Sequence, residues 1–288
     1  MRQNKFYITF WFLIVVNALV VFFLFYTYKK QNNTEVLANQ PLISVVVTSY
    51  NYEKYIEKTL KSILNQTYKN YEVIIIEDGS KDNSLNIIKK YTDKYENFHL
   101  FTHDNHQNKG LVESVKLGIS KSKGKYIAFL ESDDYWHKDN LLEKVRLINK
   151  YSDLVFAANR VEPFGDKNSL KIRRNYIKRI NEVLFKEKNI FHPLQLIKFN
   201  IIPTFSCVII RKDVLEKLNF DTIIPQFLDF WLYRQILLNH PLYYSKKVLT
   251  YWRQHDSYYS IKNQNKIQTS MEDFIKANND VIFNPTIK

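Results

Sequence analysis

The chain has 288 residues (34.6 kDa), is 45% hydrophobic, and carries 42 Lys+Arg against 29 Asp+Glu, a formal net charge of +13. That length and apolar content make it mostly globular, with room for one large domain or two small ones. The single cysteine, Cys207, excludes an intrachain disulfide and any multi-cysteine zinc site, and its apolar setting in "FSCVII" predicts a buried strand residue. The basic excess calls for an anionic partner, and a nucleic acid, a phosphorylated substrate and an acidic membrane surface all satisfy it.

The first predicted element is the charge-free run from Phe6 to Tyr28, 23 residues with aromatic residues at both ends. As a helix it would measure about 34 Å, enough to cross a hydrocarbon core of about 30 Å, so residues 1–30 are expected to form a single membrane anchor. Arg2 and Lys5 precede it and Lys29 and Lys30 follow it, so its orientation cannot be read from charge. Polar residues 31–41 read as a linker.

From residue 42 onward, short β-branched or aromatic runs alternate with helical patterns. Strands are predicted at "ISVVV" (43–47), "YEVIII" (71–76), "FHLFT" (98–102), "KYIAFL" (125–130) and "DLVFAA" (153–158), with helices near 53–64, 83–95, 110–122 and 139–150. This alternation predicts an α/β fold with a mostly parallel, Rossmann-like sheet flanked by helices. In such sheets ligands bind beyond the carboxyl ends of the strands. Three polar clusters stand there: "TSYN" (48–51), "EDGS" (77–80) and "ESDD" (131–134). Taken singly each has a plain structural role, as helix cap, tight turn or solvated loop. Three converging on one sheet edge point to a binding site. The last is the most demanding, because neighbouring carboxylates repel unless a cation, hydrogen-bond donor or water offsets them.

Residues 43–84 together with "KYIAFLESDDYW" resemble the nucleotide-sugar-binding half of the family 2 glycosyltransferases, which have the GT-A fold. The likeness is strongest from Pro41 to Tyr151 and continues more loosely to residue 260 through "FNIIPTFSCVII", "QFLDFWLYRQILL" and "LTYWRQHDSYYS". It implies a domain of residues 42–260, divided into a donor half (42–151) and an acceptor half (152–260). A tail with a short helix (261–288) follows.

The resemblance further implies that Thr48 and Tyr50 line the base pocket and that Asp78 bonds the base. Asp133 and Asp134 would bind ribose and a divalent metal, Mn²⁺ or Mg²⁺, on the diphosphate, with His255 beside that metal. Asp229 matches the catalytic base, although by position alone it reads equally as a helix N-cap or first-turn acid. Where Glu131 stands the family often has aspartate, and Glu131 is not expected to be a direct ligand. An arginine–asparagine pair is frequent where Val115 and Lys116 stand, and Lys109 is expected to supply part of that charge.

The implied activity is an inverting, non-processive, metal-dependent transfer from a nucleoside-diphosphate sugar, UDP-linked by expectation, to a glycan or lipid-linked acceptor. The expected setting is a membrane with the catalytic domain on the cytoplasmic side, and no nucleic acid is expected as a partner. Two rivals are a sugar-1-phosphate nucleotidyltransferase and a catalytically silent binding homologue. The first lacks its glycine-rich loop in "TSYNYEKY", and the second would not need Asp78, Asp133, Asp134 and Asp229. His99, His103 and His106 straddle a strand and a turn, a poor zinc spacing. Lys171–Ile180, "KIRRNYIKRI", reads either as a short helix against an anionic membrane face or as a mobile basic loop over the site.

Overall fold

A nearly continuous run of β-branched residues makes the first strand, β1 (Ile43–Ser49), buried on both faces, as a central strand of a helix-covered sheet must be. It belongs to a computed structural model of the protein that describes residues 16–24, 26–27, 40–186, 190–191, 202–222 and 225–255. The chain divides into two units, Met1–Gln40 and Pro41–Lys288. In the first, residues 16–24 are helical and exposed. Among the described residues no helix is long and apolar enough to cross a membrane. Both ends of the expected anchor, most of the linker and the C-terminal tail lie outside the described residues.

In the second unit, β2 (Tyr71–Glu77) and β4 (Tyr126–Phe129) flank β1 in parallel, and β3 (Phe98–Thr102) lies parallel beyond β2. Helices α1 (Ile56–Leu64), α2 (Ser84–Thr92) and α3 (Gly110–Lys121) make the crossovers. The approach of α3 to β1 is close enough that a Cβ at Gly118 would sit 2.5 Å from Val46 Cγ1. The predicted strands and helices of this half all form, with ends displaced by up to three residues.

The expected mostly parallel sheet does not continue. Beyond β4 come β8 (Val208–Arg211), antiparallel to it, then β6 (Phe156–Gly165), antiparallel to β8, then β9 (Leu242–Gln254), parallel to β6. The two-residue strands β5 (Tyr135–Trp136) and β7 (Ile190–Phe191) both pair antiparallel with β9. The sheet is therefore mixed, in the order β3-β2-β1-β4-β8-β6-β9-β5. The strand expected at 153–158 begins three residues later and runs to Gly165, because β9 offers it a long edge with a bulge around Arg160. Cys207 is fully buried, in a turn of 3₁₀ helix immediately before β8 rather than in the strand.

Helix α4 (Asn140–Lys150) follows β5. The basic segment 171–180 belongs to a 20-residue helix, α5 (Lys167–Lys186), packed on β6. Ile177 and Ile180 are buried in the main core, with Tyr176 packed against it, so the apolar stripe that would have faced a membrane is spent inside the domain. The segment is neither a loop nor a free amphipathic helix. A short α6 (Lys212–Leu215) and α7 (Leu228–Leu237) complete the acceptor half.

Candidate active site

Parallel pairing puts the carboxyl ends of β1, β2 and β4 at one edge, with Ser49 opposite Glu77 and Val46 opposite Phe129. "TSYN", "EDGS" and "ESDD" therefore converge, as the sequence led one to expect. Thr48 is half-buried and Tyr50 exposed. The capping role open to Thr48–Asn51 is not the one observed: α1 starts at Ile56 with no side-chain cap. Instead the two loops are laced together. Asn51 N donates to Ser80 Oγ (2.9 Å), Lys81 N to Asn51 Oδ1 (2.7 Å), Glu53 N to Asp82 Oδ2 (3.0 Å) and Asn83 N to Glu53 Oε2 (2.9 Å).

The carboxylate of Asp78 sits at the start of α3, where unpaired backbone donors favour an anion. Oδ1 accepts from Lys109 N (2.7 Å) and Oδ2 from Gly110 N (2.9 Å), which leaves each oxygen one further acceptor position. The Lys109 side chain is exposed. Fully buried Glu77 accepts from Gly79 N (3.2 Å) and Ser80 N (2.7 Å), with His106 Nε2 at 3.1 Å. Gly79 has φ +74, and a Cβ there would lie 2.7 Å from His106 O, so both the turn and the close approach require glycine.

His103 Nε2 lies 3.1 Å from Ser114 Oγ and 3.5 Å from Asp78 Oδ1. These histidines thus serve separate carboxylates, and among the described residues no three His, Cys, Asp or Glu form a metal cluster. Val115 is buried in the core, and Lys116 pairs with Glu113 (2.9 Å).

The acidic cluster resolves into three environments. Asp133 Oδ2 is 3.0 Å from His255 Nε2, both side chains being nearly buried. Asp134 Oδ1 accepts from Arg253 N (2.7 Å), and its other oxygen lies 3.4 Å from Thr204 Oγ1. Glu131 Oε2 accepts a short hydrogen bond from Thr204 Oγ1. Burial, with Asp133 beside it, pushes the Glu131 carboxyl up to about 8, and burial with Asp133 and Glu131 close by pushes Asp134 well above the usual range. Carboxylates held this way are short of positive charge, which a divalent cation on oxygen and imidazole donors would supply.

Asp229 occupies the first turn of α7, after Phe227 at the N-cap, and its Oδ1 accepts from Phe230 N (2.7 Å). Burial raises its carboxyl to about 6. Its charge is felt at Glu131, as is that of Asp133.

Four residues beyond those expected organise the site. Arg253 donates from Nε to Asp133 O (2.8 Å) as well as from its backbone to Asp134. Its guanidinium is 4.4 Å from the centre of the Tyr55 ring and 4.5 Å from that of Phe164. Tyr55 and Tyr52 in turn approach the His255 ring at 5.3 and 6.2 Å. Thr204 is the hydroxyl shared by Glu131, Asp134 and Ser206 N. The available signal for Arg253 was period two in β9, which puts it on the same face as His255.

The model for glycosyl transferase family 2 matches residues 44–218. The chain belongs to this family. A glycosyltransferase of Rickettsia bellii whose function is uncharacterised is 30% identical over 217 residues, covering 75% of this chain and 30% of the relative. Among solved structures, Staphylococcus aureus TarS 1–349 in complex with UDP matches with a TM-score of 0.59 at 22% identity, covering 74% of this chain and 61% of TarS 1–349. The mannosyltransferase PcManGT of Pyrobaculum calidifontis, in complex with GDP-Man and Mn²⁺, matches with a TM-score of 0.64 at 17% identity, covering 83% of this chain and 64% of that one. This family 2 member thus spans under a third of the Rickettsia protein and somewhat over three fifths of each solved chain. Its α/β sheet is of the GT-A type.

Proposed function

We propose that the protein is an inverting, non-processive glycosyltransferase that uses a nucleoside-diphosphate sugar and a hydroxyl of a glycan or lipid-linked acceptor. The observation that carries this reading is the Asp133–His255 pair at the carboxyl edge of the sheet, with the charges of both Asp133 and Asp229, the latter in the acceptor half, felt at Glu131. The TarS and PcManGT complexes hold UDP and GDP-Man, which supports a nucleotide donor and keeps both bases in view. UDP is our choice.

In this reading Thr48, Tyr50 and Asp78 hold the base, with Lys109 near the nucleotide and Asp133 at the ribose and diphosphate. Asp133 and His255, with Asp134 behind them, would hold Mn²⁺ or Mg²⁺, which when bound offsets the charge growing on the leaving diphosphate. Asp229 takes the proton of the acceptor hydroxyl as its oxygen attacks the anomeric carbon on the face opposite the diphosphate. Its raised affinity for protons suits that work near neutral pH. Arg253, clamped between Tyr55 and Phe164, keeps Asp133 and Asp134 in place.

We also infer a single-pass membrane protein whose domain after Pro41 faces the cytoplasm, where nucleotide sugars would be drawn from a cytosolic pool. Protection of residues 41–288 from protease added on the cytoplasmic side would overturn that orientation. The test of function is a screen of nucleotide sugars for nucleotide release by the full-length chain, with and without Mn²⁺. Release from none of them, or full activity in excess chelator, defeats the reading.

A further inference from the structure

Helix α5 carries seven basic residues and one acidic residue. Its inner side is committed to the acceptor half: Arg173 Nε donates to Gln254 Oε1 (3.2 Å) with its guanidinium 5.0 Å from the Trp252 ring centre, and Tyr176 feels the charge of Asp229. On its outer side Lys167, Lys171, Arg174 and Lys178 follow one another at steps of four, three and four, so they form one row about 16 Å long. All four are exposed, and among the described residues none of them is in an ion pair.

Two cavities of about 470 Å³ each open along this row and share Arg174. That size is within the range of small-molecule sites, ~300–1,000 Å³. The one between β6 and α5 is lined by Arg160, Glu162, Arg174, Lys178, Asn181 and Glu182. Asn181 is more than nine-tenths buried, and its Oδ1 has no partner among the described residues. A buried amide oxygen left without a donor is costly unless a ligand supplies one.

The lining selects a chemistry. Arg174 and Lys178 want an anion, whereas Asn181 Oδ1, Glu162 and Glu182 want hydroxyl donors and repel a ligand that is only anionic. A sugar unit bearing a carboxylate or phosphate offers both. A flat lipid surface offers neither the hydroxyls nor the shape to enter a cavity, and the apolar stripe of α5 is already buried in the core.

We propose that the β6–α5 cavity and the basic row of α5 form a binding site for an acidic glycan, the acceptor chain, on the helix whose Tyr176 feels the charge of Asp229. This deepens the glycosyltransferase reading and rests on it for the word acceptor.

The test reads binding directly and needs no sugar transfer. The full-length chain in neutral lipid nanodiscs is titrated calorimetrically with an oligogalacturonate, a phosphomannan oligosaccharide, a neutral maltooligosaccharide of matched length, and inorganic polyphosphate. At least one acidic glycan is expected to bind tenfold or more tightly than the neutral glycan and polyphosphate, and the one preferred identifies carboxylate or phosphate as the anion. The double variant Arg174→Glu/Lys178→Glu should lose that binding, and Asn181→Leu should weaken it several-fold, with melting temperatures close to the parent's.

Equal binding of the neutral glycan, a preference for polyphosphate, or unchanged binding by folded variants overturns the proposal. So does a double variant that loses only its attraction to phosphatidylglycerol vesicles, which would make the row a membrane contact. A chain that binds acidic glycan yet releases nucleotide from no donor would instead defeat the enzymatic reading alone.

Discussion

His255 Nε2 lies 3.0 Å from Asp133 Oδ2 although 122 residues separate them, and the strand end that carries His255 is fastened to the acidic loop twice more, through Arg253 N and Nε. The acceptor half thereby closes on an acidic loop that the donor half supplies.

The first prediction follows from that closure. His255→Ala removes a nitrogen donor without disturbing the Arg253 contacts, so Mn²⁺ affinity in the presence of nucleotide should fall by an order of magnitude or more while metal-free nucleotide binding changes little. Asp133→Ala should lose both the metal and the ribose contact. Titrating Mn²⁺ against each variant with UDP present distinguishes them. Identical Mn²⁺ titrations for parent and His255→Ala would remove His255 from the metal site.

Thr204 gives a second, structural prediction. Its hydroxyl donates to Glu131 and accepts from Ser206 N (3.1 Å), and Thr204 and Ser206 are both buried. Thr204→Val keeps the shape and leaves the buried Ser206 N unsatisfied, which costs about 1–3 kcal/mol. Thr204→Ser should restore most of the loss. Denaturant unfolding of the three proteins decides it, and a valine variant as stable as the parent would refute the role given to the hydroxyl.

Lys144 supplies a third, with a definite sign. It is almost wholly buried on α4, with Nζ 2.6 Å from Asn140 Oδ1 and 4.7 Å from the Trp136 ring centre, and burial pushes it down to about 7. Between pH 7 and its ordinary value near 10.5 the unfolded chain holds a proton that the folded one has released. This group's contribution to stability therefore rises with pH across that window, at most by roughly 1.4 kcal/mol per unit. Lys144→Met should flatten that slope. Unfolding free energies at pH 7, 8 and 9 measure it, and parallel slopes in parent and variant would count against the burial effect.

How far such relationships were legible depends on the range of the signal. The β1, β2 and β4 clusters could be read because strand periodicity and parallel crossovers are local and together place three loops at one edge. The mixed second half could not. The β6–β9 pairing joins Phe156–Gly165 to Leu242–Gln254, and nothing in either segment encodes its partner or the bulge at Arg160. Segment 171–180 was ambiguous for a related reason: Tyr176 and Ile180 show an apolar stripe, but whether core or membrane covers it depends on β6. Arg253 and Thr204 were missed because their hydrogen bonds go to residues about 120 and 70 positions away.

The fourth prediction concerns Asp229, where a structural and a catalytic role come apart. In the first turn of α7 its carboxylate accepts from Phe230 N, a bond that an asparagine oxygen also makes, so Asp229→Asn should fold like the parent. The amide cannot take the acceptor's proton, and positioned base catalysis is typically worth about 10²–10⁴-fold, so sugar transfer should fall by at least that order with donor and metal affinities little changed. Burial raises the carboxyl to about 6, and the active form is the ionised one. The parent's kcat/KM should therefore be flat above that value and drop tenfold per pH unit below it, a limb the asparagine variant should lack. Glu131, up near 8, is itself neutral where this limb falls, so the limb should keep its place in Glu131→Gln. An asparagine variant that keeps most of its transfer rate, or the same acid limb, would place the base elsewhere, and Asp256, one residue after His255, would be the next to replace.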